Sequence, residues 1–361
     1  GYVDIHYHSM WLIPELHGEQ VWQYEATLAY GVTTTRDPQT ATTDVLSYSD
    51  QVERGEMVGP RIYSTGPGVF WTEPLNSYDD AKNALRRYSE YYDTKTFKMY
   101  MTGQRKQRQW LIKAAKELEL MPTTEGGLDI RIDLTHAIDG YPGVEHNLPV
   151  YPLYSDVINL FKESGTTSTP TLLVTYSGPW GENHFYATED VYNNPKMRHF
   201  TPYTELANRA LRRASWFHKD EHKFSRHAQF IKNLVEAGGK AGVGSHGQIQ
   251  GIGFHWELWA MQSGGMSNHD TLKTATIFGA EAIGFGKELG SIEEGKLADL
   301  LILDKNPLDN IRNSEAINSI MKNGRLYDAN TLDQTYPEKK KLKKQSLGEY
   351  QPEVKAGLEV K

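Results

Sequence analysis

Tyr2-Val3-Asp4-Ile5-His6-Tyr7-His8 begins as a strand-like run and ends on two histidines spaced two apart. Successive side chains of a strand point to opposite faces, so His6 and His8 project to the same side. At the C-terminal tip of a first barrel strand both imidazoles would point into the mouth, the geometry a metal needs from neighbouring ligands. Alone, a His-x-His pair is weak and fits two polar residues at a strand end just as well.

Further runs of this kind follow, punctuated by Gly or Pro. They are Gly31-Val32-Thr33-Thr34-Thr35, Arg61-Ile62-Tyr63-Ser64, Thr96-Phe97-Lys98-Met99-Tyr100, Leu120-Met121-Pro122-Thr123-Thr124, Gly143-Val144-Glu145, Thr171-Leu172-Leu173-Val174 and Gly242-Val243-Gly244. Amphipathic stretches separate them, for example residues 19–29, 78–91 and 105–118. Eight strands alternating with helices over roughly 250 residues predict an α/β fold, a (β/α)8 TIM barrel. The fifth strand is the least secure, because Pro122 removes a ladder donor. After the barrel, residues 298–303 and 319–327 read as strands with no barrel-length helix between them. The expected division is a barrel over 1–288, a small C-terminal β module over 289–330 and a charged tail over 331–361. The tail, with Lys339-Lys340-Lys341 and Lys343-Lys344, reads as solvated rather than packed.

The 361 residues carry a net charge of −7, which argues against binding to a phosphate backbone. No cysteine is present, excluding disulfides, thiolate zinc sites and thiol nucleophiles. Hydrophobic residues at 38% and charged ones at 24% describe a folded chain, and no apolar run approaches the ~18 residues of a membrane span.

Three more residues stand at strand tips. Lys98 lies inside an apolar run, where an unpaired ammonium is costly, although its stem could carry the charge out to solvent. His146 follows Gly143-Val144-Glu145, and His246 follows Gly242-Val243-Gly244-Ser245. Each alone suits a hydrogen-bonded structural histidine. Four histidines and a lysine at the same end of one barrel point instead to a common site.

This ordering, with the late run Gly290-Ser291-Ile292-Glu293-Glu294-Gly295-Lys296-Leu297-Ala298-Asp299-Leu300, resembles the metal-dependent amidohydrolase superfamily. Gly31-Val32-Thr33-Thr34-Thr35-Arg36-Asp37 and Gly59-Pro60-Arg61-Ile62 are similar to its second and third strands. The resemblance covers residues 1 to about 328 and is closest to amidohydrolase domains that follow a TolB-like β-propeller in exported bacterial proteins. It implies a periplasmic or secreted location. It also implies two divalent metal ions, zinc first, with manganese or iron as alternatives. Lys98, carbamylated by carbon dioxide, would bridge them; His6 and His8 would hold one metal and His146 the other. Water activated between the cations would attack the substrate. In members with the β module, strands preceding the barrel complete a β-sandwich. Here a preceding N-terminal segment or propeller domain is an expected partner, the other reading being an incomplete module; oligomerisation stays open.

Two departures stand out. The family usually has a histidine on strand 5, where this chain reads Met121-Pro122-Thr123-Thr124-Glu125; Glu125 could ligate in its place, with His136 more at home in a helix. Strand 8 normally ends Thr-Asp, that aspartate being ligand and general base, but here it ends Ser245-His246. His246 could be ligand, base or a mark of lost activity. His255 and Glu257 are reserves, both equally suited to the start of a packed helix, and Trp256 and Trp259 read as core. For substrate contacts the loops offer Arg105, Tyr176 and Trp180, and His255 beyond them.

The expected function is hydrolysis of an amide-type bond in a small molecule or peptide: a dipeptide, an N-acyl amino acid or a cyclic amide. Cleavage of an ester, lactone or phosphotriester is the second possibility. A non-catalytic binding or scaffold domain with a degenerate site is the third.

Overall fold

The computed structural model describes residues 1–9, 20–38, 43–127, 129–174, 178–211, 213, 216–343, 345 and 347. Eight parallel strand positions surround one core. β1 (Tyr2–Asp4), β2 (Val32–Asp37) and β3 (Arg61–Ser64) form one run of the barrel wall. β4 (Val69–Phe70), β5 (Thr96–Tyr100), β6 (Met121–Glu125), β7 (Gly143–Glu145) and β8 (Thr167–Thr169) form the other. β3 and β4 together fill the third position, interrupted by a turn at Gly66.

The barrel closes through residues 241–244. Gly242 N donates to Ser168 O at 3.0 Å, and Ile5 N donates to Val243 O at 2.9 Å. Only glycine fits at 244: an added Cβ would lie 2.6 Å from the Cβ of His6 and 2.7 Å from Thr169 Cγ2. Asp4 ties the same seam, accepting from His6 N and Ser245 N at 3.2 Å each. Pro122 is tolerated because pairing of β6 with β7 starts only at Thr123.

The seventh strand differs from the sequence expectation. Thr171-Leu172-Leu173-Val174 is apolar and strand-like, yet Leu172–Val174 is a 3-10 turn, and the strand is the polar triplet Thr167-Ser168-Thr169. Inside a barrel wall small hydroxyl residues pack as well as apolar ones, so hydrophobicity misplaces the strand by four residues.

Helices cover the barrel. Tyr78–Arg86 and Arg105–Glu117 lay Ala81, Ala84, Leu85, Leu111, Ala114 and Ala115 against the outward Phe97 and Met99 of β5. Trp256 and Trp259, on Ile252–Gln262, are buried core residues.

The C-terminal module is an antiparallel sheet in the order β12-β11-β10-β9: β9 (Leu300–Leu303), β10 (Ile317–Lys322), β11 (Arg325–Asp328) and β12 (Gln334–Tyr336). The single strand expected over 319–327 is instead a hairpin. Asn323 and Gly324 both adopt positive φ, 49° and 72°, the signature of a two-residue turn matched to strand twist. Tyr2 Oη donates to Ser314 O at 3.1 Å, and Gly31 abuts Leu301 and Ile317. The module therefore packs at the N-terminal ends of the strands, opposite the histidines. Part of the segment expected to be solvated is docked. Lys340 and Gln334 exchange backbone bonds of 2.8 and 3.0 Å, and Tyr203 N donates to Leu347 O at 3.0 Å. Leu342, half-buried against the core, supplies the apolar anchor that the lysine count obscures. Among the described residues no helix is long and apolar enough to cross a membrane.

Candidate metal centre

Four imidazoles converge at the C-terminal mouth. His6 and His8 follow β1, His146 follows β7, and His246 follows the closing segment. Ring centroids lie 4.8 Å apart for His6 and His8, 4.9 Å for His6 and His146, 5.0 Å for His6 and His246, and 5.3 Å for His146 and His246. Ligand atoms of His6, His146 and His246 all lie within 4.8 Å of one another.

Each ring has its Nδ1 beside an oxygen of this chain. His6 Nδ1 donates to Glu145 Oε2 at 2.6 Å, His146 Nδ1 meets Thr171 Oγ1 at 2.6 Å, and His246 Nδ1 meets Gln248 Oε1 at 3.2 Å. His8 Nδ1 faces Asp37 Oδ1 at 3.6 Å. Such outer oxygens orient the rings, and the Glu145 carboxylate, which can only accept, requires the His6 proton on Nδ1 and leaves its Nε2 free to ligate. Glu145 is itself anchored by Arg36 and Thr123, and Arg36 Nε donates to Ile5 O at 2.7 Å.

The cost of assembling this cluster is visible in the backbone. His146, His246 and Thr171 all have positive φ, 68°, 61° and 45°, a region that side chains with a Cβ avoid. Burial first, then the neighbouring histidines, hold His6 and His246 well below the usual imidazole pKa, so both are neutral.

Lys98 and Glu125 stand on adjacent strands at the edge of the cluster. Lys98 Nζ lies 2.7 Å from Glu125 Oε2, and His146 Nε2 lies 3.0 Å from the same oxygen. Burial pushes the Glu125 carboxyl up, but the Lys98 and His146 charges outweigh it and hold it well below the ordinary carboxylate range.

The donor set fits divalent metal. With Nδ1 of His6 and of His8 turned to carboxylates, their Nε2 atoms face each other 3.0 Å apart and offer lone pairs to one region, a juxtaposition that a cation relieves. The structure thus brings together His6, His8, Lys98, Glu125, His146 and His246.

Two of the other sequence candidates, His255 and His136, are buried within helices. His255 is fully buried, with Nδ1 on Ser314 Oγ at 2.9 Å and Nε2 donating to Tyr30 O at 3.0 Å. It joins barrel to module, with both ring nitrogens engaged by Ser314 and Tyr30. Arg105 is forked on Asp139 at 2.7 and 2.9 Å on the exposed helix start. Trp180 is 52% exposed at the start of helix Gly181–Thr188. Tyr176 lies outside the described residues. His136 is buried within helix Ile130–Asp139. Sequence reasoning passed over Asp37, Thr171 and Gln248; their adjacency to strand tips was the available signal.

The sequence matches the Amidohydrolase family over residues 1–327. The chain belongs to the amidohydrolase family. A Xaa-Pro dipeptidase solved with methionine in its active site aligns with a TM-score of 0.66 at 20% identity, covering 91% of this chain and 86% of that one. Molinate hydrolase gives 0.68 at 16% identity, covering 92% and 83%. The ochratoxinase of A. niger gives 0.64 at 17%, covering 91% and 82%. At these identities the likeness establishes the fold alone. A 5-methylthioadenosine/S-adenosylhomocysteine deaminase of Teredinibacter turnerae is 39% identical over 62 residues, 17% of this chain and 14% of the deaminase. The 5'-deoxyadenosine deaminase of Methanobrevibacter smithii is 38% identical over 65 residues, likewise 14% of its length. The matched stretch is thus a small part of either curated relative, whereas the amidohydrolase barrel is aligned nearly throughout.

Proposed function

We propose that this amidohydrolase is a binuclear metal-dependent hydrolase that cleaves an amide-type bond. The observation that carries this reading is the set of four converging imidazoles, each with Nδ1 beside an oxygen of the chain, next to the Lys98–Glu125 pair. His6 and His8 would hold one ion and His146 the other, with His246 a ligand rather than a proton carrier, because its surroundings disfavour the imidazolium. Glu125 takes the place of the strand-5 histidine, and Lys98 is the residue placed to carry the carbamate. A divalent cation held there supplies Lewis-acid polarisation of the scissile carbonyl and acidifies water.

The mouth beside this pair has an apolar wall. Phe70, Tyr100 and Glu125 share one cross-strand row, with Phe70 opposite Tyr100 and Tyr100 opposite Glu125. The Phe70 and Tyr100 rings lie 6.0 Å apart, and Lys98 Nζ lies 5.8 Å from the centre of the Tyr100 ring. Both rings are half-buried, so the wall suits an aromatic or bulky apolar group next to the scissile bond.

The test couples elemental mass spectrometry of protein purified without chelator to a panel of N-acyl amino acids, dipeptides and cyclic amides bearing aryl or methyl groups. About two equivalents of zinc, manganese or iron are expected, with aryl amides preferred in kcat/KM. A folded protein that holds no metal after metal and bicarbonate are supplied overturns the assignment. Turnover of esters or phosphotriesters without amides moves it to the second class of bond.

A further inference from the structure

Glu257 lies on helix Ile252–Gln262 with no exposed surface. Its Oε1 accepts from Leu172 N at 2.7 Å and its Oε2 from Leu173 N at 2.9 Å. Among the described residues it forms no ion pair. A carboxyl buried without a cation is costly and needs a reason to be there. The two N–H groups it binds open the turn Leu172–Val174, donors that the turn itself cannot satisfy.

Thr171 directly precedes that turn. It is β-branched, fully buried and held at φ 45°, a conformation that costs on the order of 1–3 kcal/mol and persists only where its surroundings impose it. Its hydroxyl is the oxygen at 2.6 Å from His146 Nδ1.

We propose that Glu257 is a positioning residue of the metal centre, clamping the strained turn that sets the Thr171 hydroxyl against His146 Nδ1. The inference rests on His146 being a ligand, as in the function proposed above. The Glu257 carboxylate fixes the turn, the turn fixes Thr171, and the Thr171 hydroxyl, donating to Nδ1, holds the His146 ring with Nε2 turned toward the Glu125 carboxylate at 3.0 Å and the other rings. A glutamine at 257 keeps the size but brings an amide N–H against one of the two backbone donors.

Four variants test the clamp: Glu257→Gln, Thr171→Val, Thr171→Ser and the double Glu257→Gln/Thr171→Val. Zinc affinity is read by competition with a chromogenic chelator, and the His146 tautomer by long-range 15N–1H correlation in chelator-treated protein. Glu257→Gln and Thr171→Val should each weaken zinc by about 10- to 100-fold, the usual effect of losing an outer-shell partner. The double variant should be no weaker than the worse single, Thr171→Ser should stay within a few-fold of wild type, and the tautomer should become mixed in both singles. Wild-type affinity and tautomer in folded Glu257→Gln overturn the proposal, as do losses that multiply in the double variant. If wild-type protein binds no zinc while the tautomer still responds to both substitutions, the clamp stands and the metal-dependent function fails.

Discussion

Glu125 is the residue on which the charge balance of the site turns. Its carboxylate faces the Lys98 ammonium and the His146 ring through one oxygen, and its side chain and that of Lys98 are only 10% and 3% exposed. Glu125→Gln preserves shape but leaves a buried ammonium without its counter-charge. Breaking such a pair costs about 3–5 kcal/mol, so a large fall in the urea midpoint of the metal-free, uncarbamylated protein is expected, with weaker metal uptake when metal and bicarbonate are then supplied. Unchanged stability would mean that Lys98 is already uncharged or solvated. At this scale the clustered side chains were legible because period-two alternation and strand-tip position locate His6, His8, Lys98, His146 and His246 directly. Their orienting oxygens were not: Thr171 and Gln248 come from turns, where no periodicity says which way a side chain points. His255 shows the opposite error, since a histidine following a strand tip in sequence is carried away from the mouth once the chain turns into a helix.

Among the elements, the most recognisable stretch of sequence proves to be structural. In the late run, Asp299 Oδ2 accepts from Arg61 Nη1 at 2.6 Å and Asp299 Oδ1 accepts from Asn323 N at 2.9 Å. Lys296 Nζ donates to Gly286 O at 2.7 Å and Leu289 O at 3.2 Å. This run fastens β3 to the hairpin turn of the C-terminal sheet, at the end of the barrel away from the histidines. Asp299→Ala is therefore expected to lower stability by about 1–3 kcal/mol, because Arg61 loses its nearest carboxylate and keeps Glu53 at 3.6 Å, while metal stoichiometry in the folded fraction stays at the wild-type value. Denaturant unfolding and elemental analysis of the same sample check both halves, and parallel loss of metal would place the run in the site after all. Strand positions were legible where β-branched residues, Gly and Pro punctuate the chain, as in β2, β5 and β6. The seventh strand was not, because burial inside the wall makes Thr167-Ser168-Thr169 a strand while the apolar Leu172-Leu173-Val174 serves as packing under a turn. Asn323-Gly324 was a readable hairpin signal that a continuous strand over 319–327 overlooks.

For the whole molecule, the layered design leaves titratable groups buried outside the histidine cluster, and these set how stability responds to pH. Burial above all lowers His136 and His255 to about 3 and His227 to about 4. Burial likewise raises Glu25 and Asp133 to about 7. The unfolded chain binds protons at the three histidines below pH ~6.5 that the folded chain refuses, so their contribution falls as pH drops from there toward 3. The carboxyls act with the opposite sign. The folded chain keeps protons that the unfolded chain has lost above pH ~4.5, so their contribution falls as pH rises toward 7, each group giving at most about 1.4 kcal/mol per pH unit. Between about pH 4.5 and 6.5 the two sets oppose each other and the slope is shallow. Stability of the chelator-treated protein should therefore peak near pH ~5.5 and decline toward both pH ~4 and pH ~8, with His255→Gln flattening the acid limb alone. Urea midpoints at those three values decide it: a steady rise from acid to alkaline conditions would show that the buried carboxyls are ionised in the folded protein, and that the barrel pairs them with charges these burials do not provide.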